Sequence, residues 1–328
     1  MSLSQEKLEK DELKKITLLI LLGPTAVGKT NISLKLADAL SNLEIISADS
    51  RQIYKYMDIG TAKPDKTMLK KVKHHMIDII EPSEDFDVMQ YSKLTNRLIT
   101  NLLKEGKIPL IVGGSGLYIS SIINPLFSGP GKDVDYRKYL EEEAKKYGRE
   151  YLYEKLSKVD PASASAIKSS NDLKRIIRAL EVYKITGKTI SYLQKEKLYK
   201  KVKFSYQIIG LKRKRENLYQ RINFRVDKMI KEGFIEEVKE LRAKGYDKNL
   251  NSMQGLGYKQ INSYLDGEYD LETAIHLIKR DTRRYAKRQM TWFKNKIKNI
   301  QWIDLEVDSE DMATAKILKL IYKNFSPK

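Results

Sequence analysis

The sequence predicts an α/β fold of the P-loop NTPase-like kind: a parallel sheet covered by helices, with an inserted all-helical domain and a helical C-terminal part. Three observations carry this. Short apolar runs alternate with helix-like segments through the first third of the chain. Gly23-Pro24-Thr25-Ala26-Val27-Gly28-Lys29-Thr30 fits the phosphate-loop pattern G-x-x-x-x-G-K-[ST], between a strand-like run and a helix-like one. A further strand-like run returns late, after a long helical stretch, as though the chain rejoins its first sheet.

The elements follow in order. Ile16–Leu22 reads as a strand and Asn31–Leu40 as the helix after the loop. Leu43–Ala48 is a second strand that ends in Asp49, and His75–Ile80 a third short run bounded by Pro82. Met89–Glu105 is helical, with Gly106 as its stop. Ile108–Val112 is a strand ending in Gly113-Gly114-Ser115-Gly116. Ser128-Gly129-Pro130-Gly131 is a turn cluster that marks a break. Charged helices follow to about Lys200: Asp160-Pro161 starts one, Asn171-Asp172 starts another, and Gly187 stops it. Lys203–Leu211 returns as a strand, and from Arg215 onward the pattern is mostly helical. The expected division is therefore a catalytic core of residues 1–131 and 203–328, with a helical insertion of 132–202.

Bulk properties narrow the function. At 328 residues the chain can bury a large core. It has no cysteine, which excludes disulfides and thiolate chemistry and accords with the reducing cytoplasm expected here. The charged segment Met1 to Lys15 does not resemble a signal peptide, and no apolar run is long enough to span a membrane. A formal charge of +19 implies a polyanionic partner, with nucleic acid foremost; a lysine-rich surface is the plainer alternative.

The loop dictates the first chemistry. Gly23 and Gly28 let its backbone amides turn toward an anion, and the following helix adds its positive end. Lys29 offers a cation and Thr30 a hydroxyl for magnesium. Asp49, at the carboxyl end of the next strand, faces the same crevice; general base, magnesium ligand and helix cap are all open to it. Where ATPases place an acid, at the end of Ile108–Val112, this chain has glycines and Ser115, which suit substrate positioning better than activation of water. Three basic helix faces follow. They are Lys174, Arg175 and Arg178; Arg221 and Arg225; and Arg280, Arg283, Arg284 and Lys287, the last opposite Ile278, Tyr285 and Trp292. Each alone also fits a solvated face, but three together favour phosphate contacts. His74, His75 and His276 lack metal-ligand spacing.

Five segments together resemble the bacterial tRNA dimethylallyltransferases. They are Gly23–Thr30, Ser47–Tyr54 running on to Met57-Asp58-Ile59-Gly60-Thr61-Ala62-Lys63-Pro64, His74–Pro82, Gly113–Tyr118, and Arg284–Trp292. The resemblance implies transfer of a dimethylallyl group from dimethylallyl diphosphate to the exocyclic amine of an adenine beside the tRNA anticodon, with Mg2+ on Thr30. It implies Asp49, Lys29 and Ser115 as catalytic residues. Diphosphate would be held by Gly23, Pro24, Thr25, Ala26, Val27, Gly28, Lys29 and Thr30, with Arg221 and Arg225. The tRNA anticodon stem-loop would meet Asp49, Ser50, Arg51, Gln52 and Ser115, then Arg137, Lys174, Arg175 and Arg178 of the insertion. Gln254, Gly257, Tyr258 and Lys259, and Lys287 and Arg288 on the late basic helix, complete that set. Ser115 stands where many members have threonine, and Leu173-Lys174 where Pro-Gln is common.

On this reading the loop grips a leaving group rather than a nucleotide, and the target base must be turned out of its stack. The competing readings are an ATP-dependent nucleoside or small-molecule kinase, a nucleotide-driven RNA-binding switch, and a prenyltransferase of free adenine nucleotides. The basic faces and the late aromatic–basic helix argue against the first, the missing acid after Val112 against the second, and the inserted segment with the net charge against the third. A monomer is the expected state.

Overall fold

The structure is a computed structural model that describes residues 17–124, 129–167, 169–197 and 204–325. Residues 1–16, including Ile16, and Ser128 of the expected turn cluster lie outside these.

Six parallel strands form one sheet in the order β3-β2-β4-β1-β5-β6. They are β1 (Thr17–Leu22), β2 (Leu43–Ala48), β3 (His74–His75), β4 (Ile108–Gly113), β5 (Ser205–Lys212) and β6 (Ile300–Asp304). β1 lies between β4 and β5, with Leu19 opposite Leu110 and Gln207. This arrangement needs nearly continuous apolar strands, because both faces are covered. Every residue of β2 is buried accordingly. Alternate side chains serve two layers. Leu19, Leu21, Ile45, Leu110 and Ile209 pack against α1 (Lys29–Ala39) and α14 (Glu310–Phe325). Leu18, Ile20, Ile46 and Ile111 face α3 (Val88–Lys104) and α4 (Gly116–Ile123). α2 (Lys66–Lys71) is a short helix capped by Asp65.

Two compact units divide the chain, 1–123 with 203–328, and Asn124–Val202. The second unit contains α5 (Val134–Tyr147), α6 (Arg149–Val159), α7 (Pro161–Ile167), α8 (Leu173–Thr186) and α9 (Ile190–Lys197) around a core of Leu140, Leu152, Leu156, Ile176 and Leu180. Asp172 caps α8 through the amide of Arg175, and Gly187 ends it in the left-handed conformation that lacks a Cβ penalty. In the first unit, α10 (Arg215–Lys231), α11 (Phe234–Ala243), α12 (Tyr258–Leu265) and α13 (Leu271–Lys296) build a further apolar cluster with Ile53, Tyr54 and Met57. None of the described helices is long and apolar enough to cross a membrane.

Two expectations are corrected. The run His75–Ile80 is not one strand. Met76 and Asp78 adopt positive φ, which breaks it, and leaves His74–His75 plus an isolated bridge between Tyr54 and Ile80. The C-terminal part also contains an unexpected strand, β6, which adds to the sheet beside β5. Its polar Gln301 and Asp304 mask the apolar pattern.

Candidate active site

The carboxyl ends of β1, β2 and β4 converge on one crevice, as the topology of an open parallel sheet requires. After β1 the phosphate loop turns sharply. Gly23 approaches the carbonyl of Leu211 so closely that a Cβ would sit 2.8 Å from it, and Gly28 holds φ at 120°. Three arginines from the end of β5 and from α10 brace the loop. Arg213 Nε donates to the Val27 carbonyl at 3.0 Å, Arg221 Nε to that of Ala26 at 2.9 Å, and Arg225 to Thr25 Oγ1 at 3.3 Å. Because a peptide's C=O and N–H point in opposite directions, drawing these carbonyls toward the arginines turns loop amides the other way.

Lys29, the first residue of α1, donates through Nζ to the carbonyls of Gly23 at 2.8 Å and Pro24 at 2.9 Å. Burial, reinforced by Arg225 and opposed by Asp49, lowers its ammonium to about 7. Burial and the neighbouring Arg221 likewise lower Arg225, against the pull of Asp49. The site is therefore rich in crowded positive charge, which an anion would relieve.

Asp49 follows β2. Its Oδ1 accepts the Arg51 amide at 2.9 Å, a local turn that fixes the carboxyl at the strand end. Ser115 follows β4 and reaches the same place: its amide donates to the Ala48 carbonyl, and its Oγ accepts the Ser50 amide at 3.0 Å. Gly113 makes this possible, since a Cβ there would lie 2.1 Å from the Ala48 carbonyl oxygen. Gln52 is turned inward. It accepts from Ser47 Oγ and donates to the carbonyls of Thr61 and Ala62, fixing that loop at the crevice.

A cavity of about 300 Å³ brings together Asp49, Ser50, Arg225 and the phosphate loop at Thr25; Lys29, Ser115 and Gln52 stand outside its lining. Thr25, Asp49, Ser50, Arg51, Arg225 and Arg288 supply its polar lining. Val226, Met229, Phe234, Leu256 and Ile278 supply an apolar one. Such a cavity can place a diphosphate, a small apolar group and an acceptor amine within reach of one carboxylate. Arg221 lies outside it, in an adjoining cleft that Arg225 also lines.

Other expected site residues stand elsewhere. Arg137, Lys174, Arg175 and Arg178 belong to the second compact unit. There Lys174 and Arg175 are exposed, whereas Arg137 and Arg178 both clasp the fully buried Glu181. These pairs hold the Glu181 carboxyl down to about 2, against the effect of its burial. Gln254 and Lys259 are exposed; Gly257 is buried. Tyr258 is buried, 1% exposed; its hydroxyl donates to Glu237 at 2.6 Å, and it lines the cavity. The late basic stripe also divides. Arg280 pairs with Asp281 and Arg283 donates to Asn223, while Arg284, Lys287 and Arg288 are exposed. Trp292 packs under Gly116, where a Cβ would sit 2.2 Å from its ring.

Sequence reasoning missed Gln289, which is 6% exposed on α13. Its Oε1 accepts the Thr25 amide at 2.9 Å, and its Nε2 donates to the Gly114 carbonyl at 2.8 Å. The signal was present: a polar residue continues the buried stripe of Ala274, Ile278, Thr282, Ala286 and Phe293. Tyr285 was assigned to an apolar face, yet its hydroxyl meets Ser115. Burial, with the charge of Asp49 beside it, pushes that hydroxyl up to about 12.

Residues 52–296 match the family model described as IPP transferase. The chain is 49% identical to the tRNA dimethylallyltransferase of Acetivibrio thermocellus over 94% of this chain and 97% of that one. It is 48% identical to the Thermotoga maritima enzyme of the same name, over 93% and 97%. Its fold is similar to the crystal structure of a full-length tRNA isopentenylpyrophosphate transferase from Bacillus halodurans, with TM-score 0.69 and 44% identity over 94% and 96% of the two chains. It also resembles a eukaryotic dimethylallyltransferase captured acting on tRNA, with TM-score 0.78 and 27% identity over 94% and 80%.

Proposed function

The chain belongs to the IPP transferase family, and from that premise we infer how its site works: the protein transfers a dimethylallyl group from dimethylallyl diphosphate to tRNA, at the exocyclic amine of an adenine beside the anticodon, and releases diphosphate. The observation that carries this is the single cavity in which Asp49 and Arg225 meet the phosphate loop at Thr25, beside an apolar wall. A kinase reading is not favoured, since relatives matched over nearly the whole chain are tRNA dimethylallyltransferases.

The chemistry follows from the residues. The loop amides, Lys29 and Arg225 bind the diphosphate and stabilise the charge that grows on it as the carbon–oxygen bond breaks. Asp49 takes a proton from the amine as the new carbon–nitrogen bond forms. Ser115, held by the Ser50 amide, orients the reacting partners. The apolar wall keeps water from a cation-like allylic centre.

Among the described residues no group of three acidic or histidine side chains gathers to hold a metal ion. Thr30, beside Lys29 in the first turn of α1, would hold magnesium through its hydroxyl together with the substrate's own phosphate oxygens. Bound there, the ion would neutralise leaving-group charge. Arg51, Arg288 and Lys287 at the first unit, and Lys174 and Arg175 at the second, would meet RNA phosphates.

The test is direct. The protein is incubated with magnesium, labelled dimethylallyl diphosphate and unmodified tRNA, and the tRNA is assayed for label. Label in tRNA is expected; transfer of the terminal phosphate of ATP instead would favour the kinase.

A further inference from the structure

Glu237 lies on α11 and was singled out by nothing in the sequence. Its carboxylate accepts four hydrogen bonds. The consecutive amides of Asp58, Ile59 and Gly60 donate at 2.8, 2.6 and 3.1 Å, and the Tyr258 hydroxyl donates at 2.6 Å. Three successive amides pointing at one anion form a backbone nest, here filled by the protein itself. The residues after this nest, Thr61 and Ala62, line the reaction cavity together with Gly60. Tyr258 lines the same cavity from another element, edge-on to Phe234 at 5.0 Å and 82°.

The packing around this carboxylate leaves little slack. A Cβ on Gly60 would lie 2.2 Å from Phe234 Cε2 and 2.6 Å from Tyr258 Cε2. Gly257, at φ 92°, passes the other flank of the same Phe234 ring. Lys63, 3% exposed in its side chain, secures the far end of the loop through Asp58, Asp78 and the Tyr54 carbonyl. One carboxylate thus fixes two cavity walls that are distant in sequence, one from residues 58–62 and one from residues 234 and 258.

We propose that Glu237 is a positioning residue for the transfer reaction: it pins the 58–62 loop and the Phe234–Tyr258 wall in the spacing that aligns the allylic group with the acceptor amine. This rests on the prenyl-transfer reading of the cavity. Glu237 touches no reacting atom, so its effect belongs in turnover at saturating substrates rather than in tRNA affinity. Misplacement of a reacting group by about an ångström costs on the order of 100-fold in rate.

Glu237→Gln keeps the shape but, whichever way its amide turns, points an NH2 at one or two backbone N–H groups that only donate. It is expected to lower kcat about 10- to 100-fold, with the Kd for tRNA held within about twofold and faster amide hydrogen exchange at Asp58, Ile59 and Gly60. Tyr258→Phe removes one bond of the four, keeps the ring and should fold; a fall in kcat of about twofold to fivefold is expected. Wild-type kcat in both variants would overturn the proposal. So would a loss in Glu237→Gln matched by its loss of folded protein on melting while Tyr258→Phe is unaffected. Absence of prenyl transfer by the wild-type protein would instead sink the functional reading, and the exchange rates at residues 58–60 would still report whether Glu237 holds the loop.

Discussion

Gln289 and Thr25, 264 positions apart, share a partly buried hydrogen bond of 2.9 Å that ties the phosphate loop to α13. The same amide side chain holds the Gly114 carbonyl, so one residue registers the ends of β1 and β4. On the exposed side of that helix stand Arg284, Lys287 and Arg288. Replacement by leucine orphans the buried Gly114 carbonyl, at about 1–3 kcal/mol, and strips the partly buried Thr25 amide of its partner. Gln289→Leu is expected to melt at lower temperature and to lose most of the further stabilisation that dimethylallyl diphosphate confers. Melting curves with and without the donor, superimposable on those of the wild type, would contradict this.

Asp49 is expected to govern chemistry more than binding. Asp49→Ala should cut turnover by about 100-fold or more, in line with loss of a positioned general base, and leave tRNA affinity within about twofold. Single-turnover rates and filter binding separate the two. Equal losses in both would mean that Asp49 is a contact residue only.

The lowered Lys29 ammonium gives a pH signature. Its folded value is about 7 against an ordinary 10.5. Between those values the unfolded chain binds the extra proton, so this group makes the ligand-free protein more stable as pH rises through that window. A bound diphosphate favours the charged ammonium and raises its value again. At pH 8, binding of the donor should therefore take up a proton, visible as a dependence of calorimetric enthalpy on buffer ionisation heat. Lys29→Met should abolish the uptake; uptake that persists in that variant would assign it to another group.

Lys174 and Arg175 are exposed and free of the Glu181 clasp, unlike Arg178. Their joint replacement by alanine should weaken tRNA binding and flatten the log–log salt slope by roughly 1.5 to 2. The same measurement on Arg178→Ala is confounded, because that change also strips a partner from a carboxylate with no exposed surface. An unaltered slope in the double variant would remove α8 from the RNA contact surface.

The legible parts of this molecule were those written in local pattern. The loop from Gly23 to Thr30, the strand ending at Asp49 and the helix opened by Asp172 each announce themselves within a few residues. What stayed hidden depends on distant partners. Glu237 looks like any charged residue in a first helical turn until the amides of residues 58–60 are folded onto it. Tyr258 stands in the sequence only as an expected tRNA contact, and the fold shows that Phe234 and Glu237 also hold it. Arg137 and Arg178 look like surface cations, and only the burial of Glu181 shows what holds them. Charge and spacing report what a side chain can do; tertiary partners decide what it does.

The bracing of the phosphate loop sets an order of birth. Val27 is held by Arg213, whose other nitrogen donates to the carbonyl of Leu305, and Asn31 of α1 reaches Glu310 at 3.2 Å. β1 itself is sandwiched between strands made much later, at residues 108–113 and 205–212. The phosphate-loop segment thus finds its supports in residues synthesised well after it. A nascent chain must wait, half-assembled, until residues 205–310 have been made before it can close around a donor. A stalled or prematurely terminated product would therefore carry the phosphate loop without the scaffold that lets it grip.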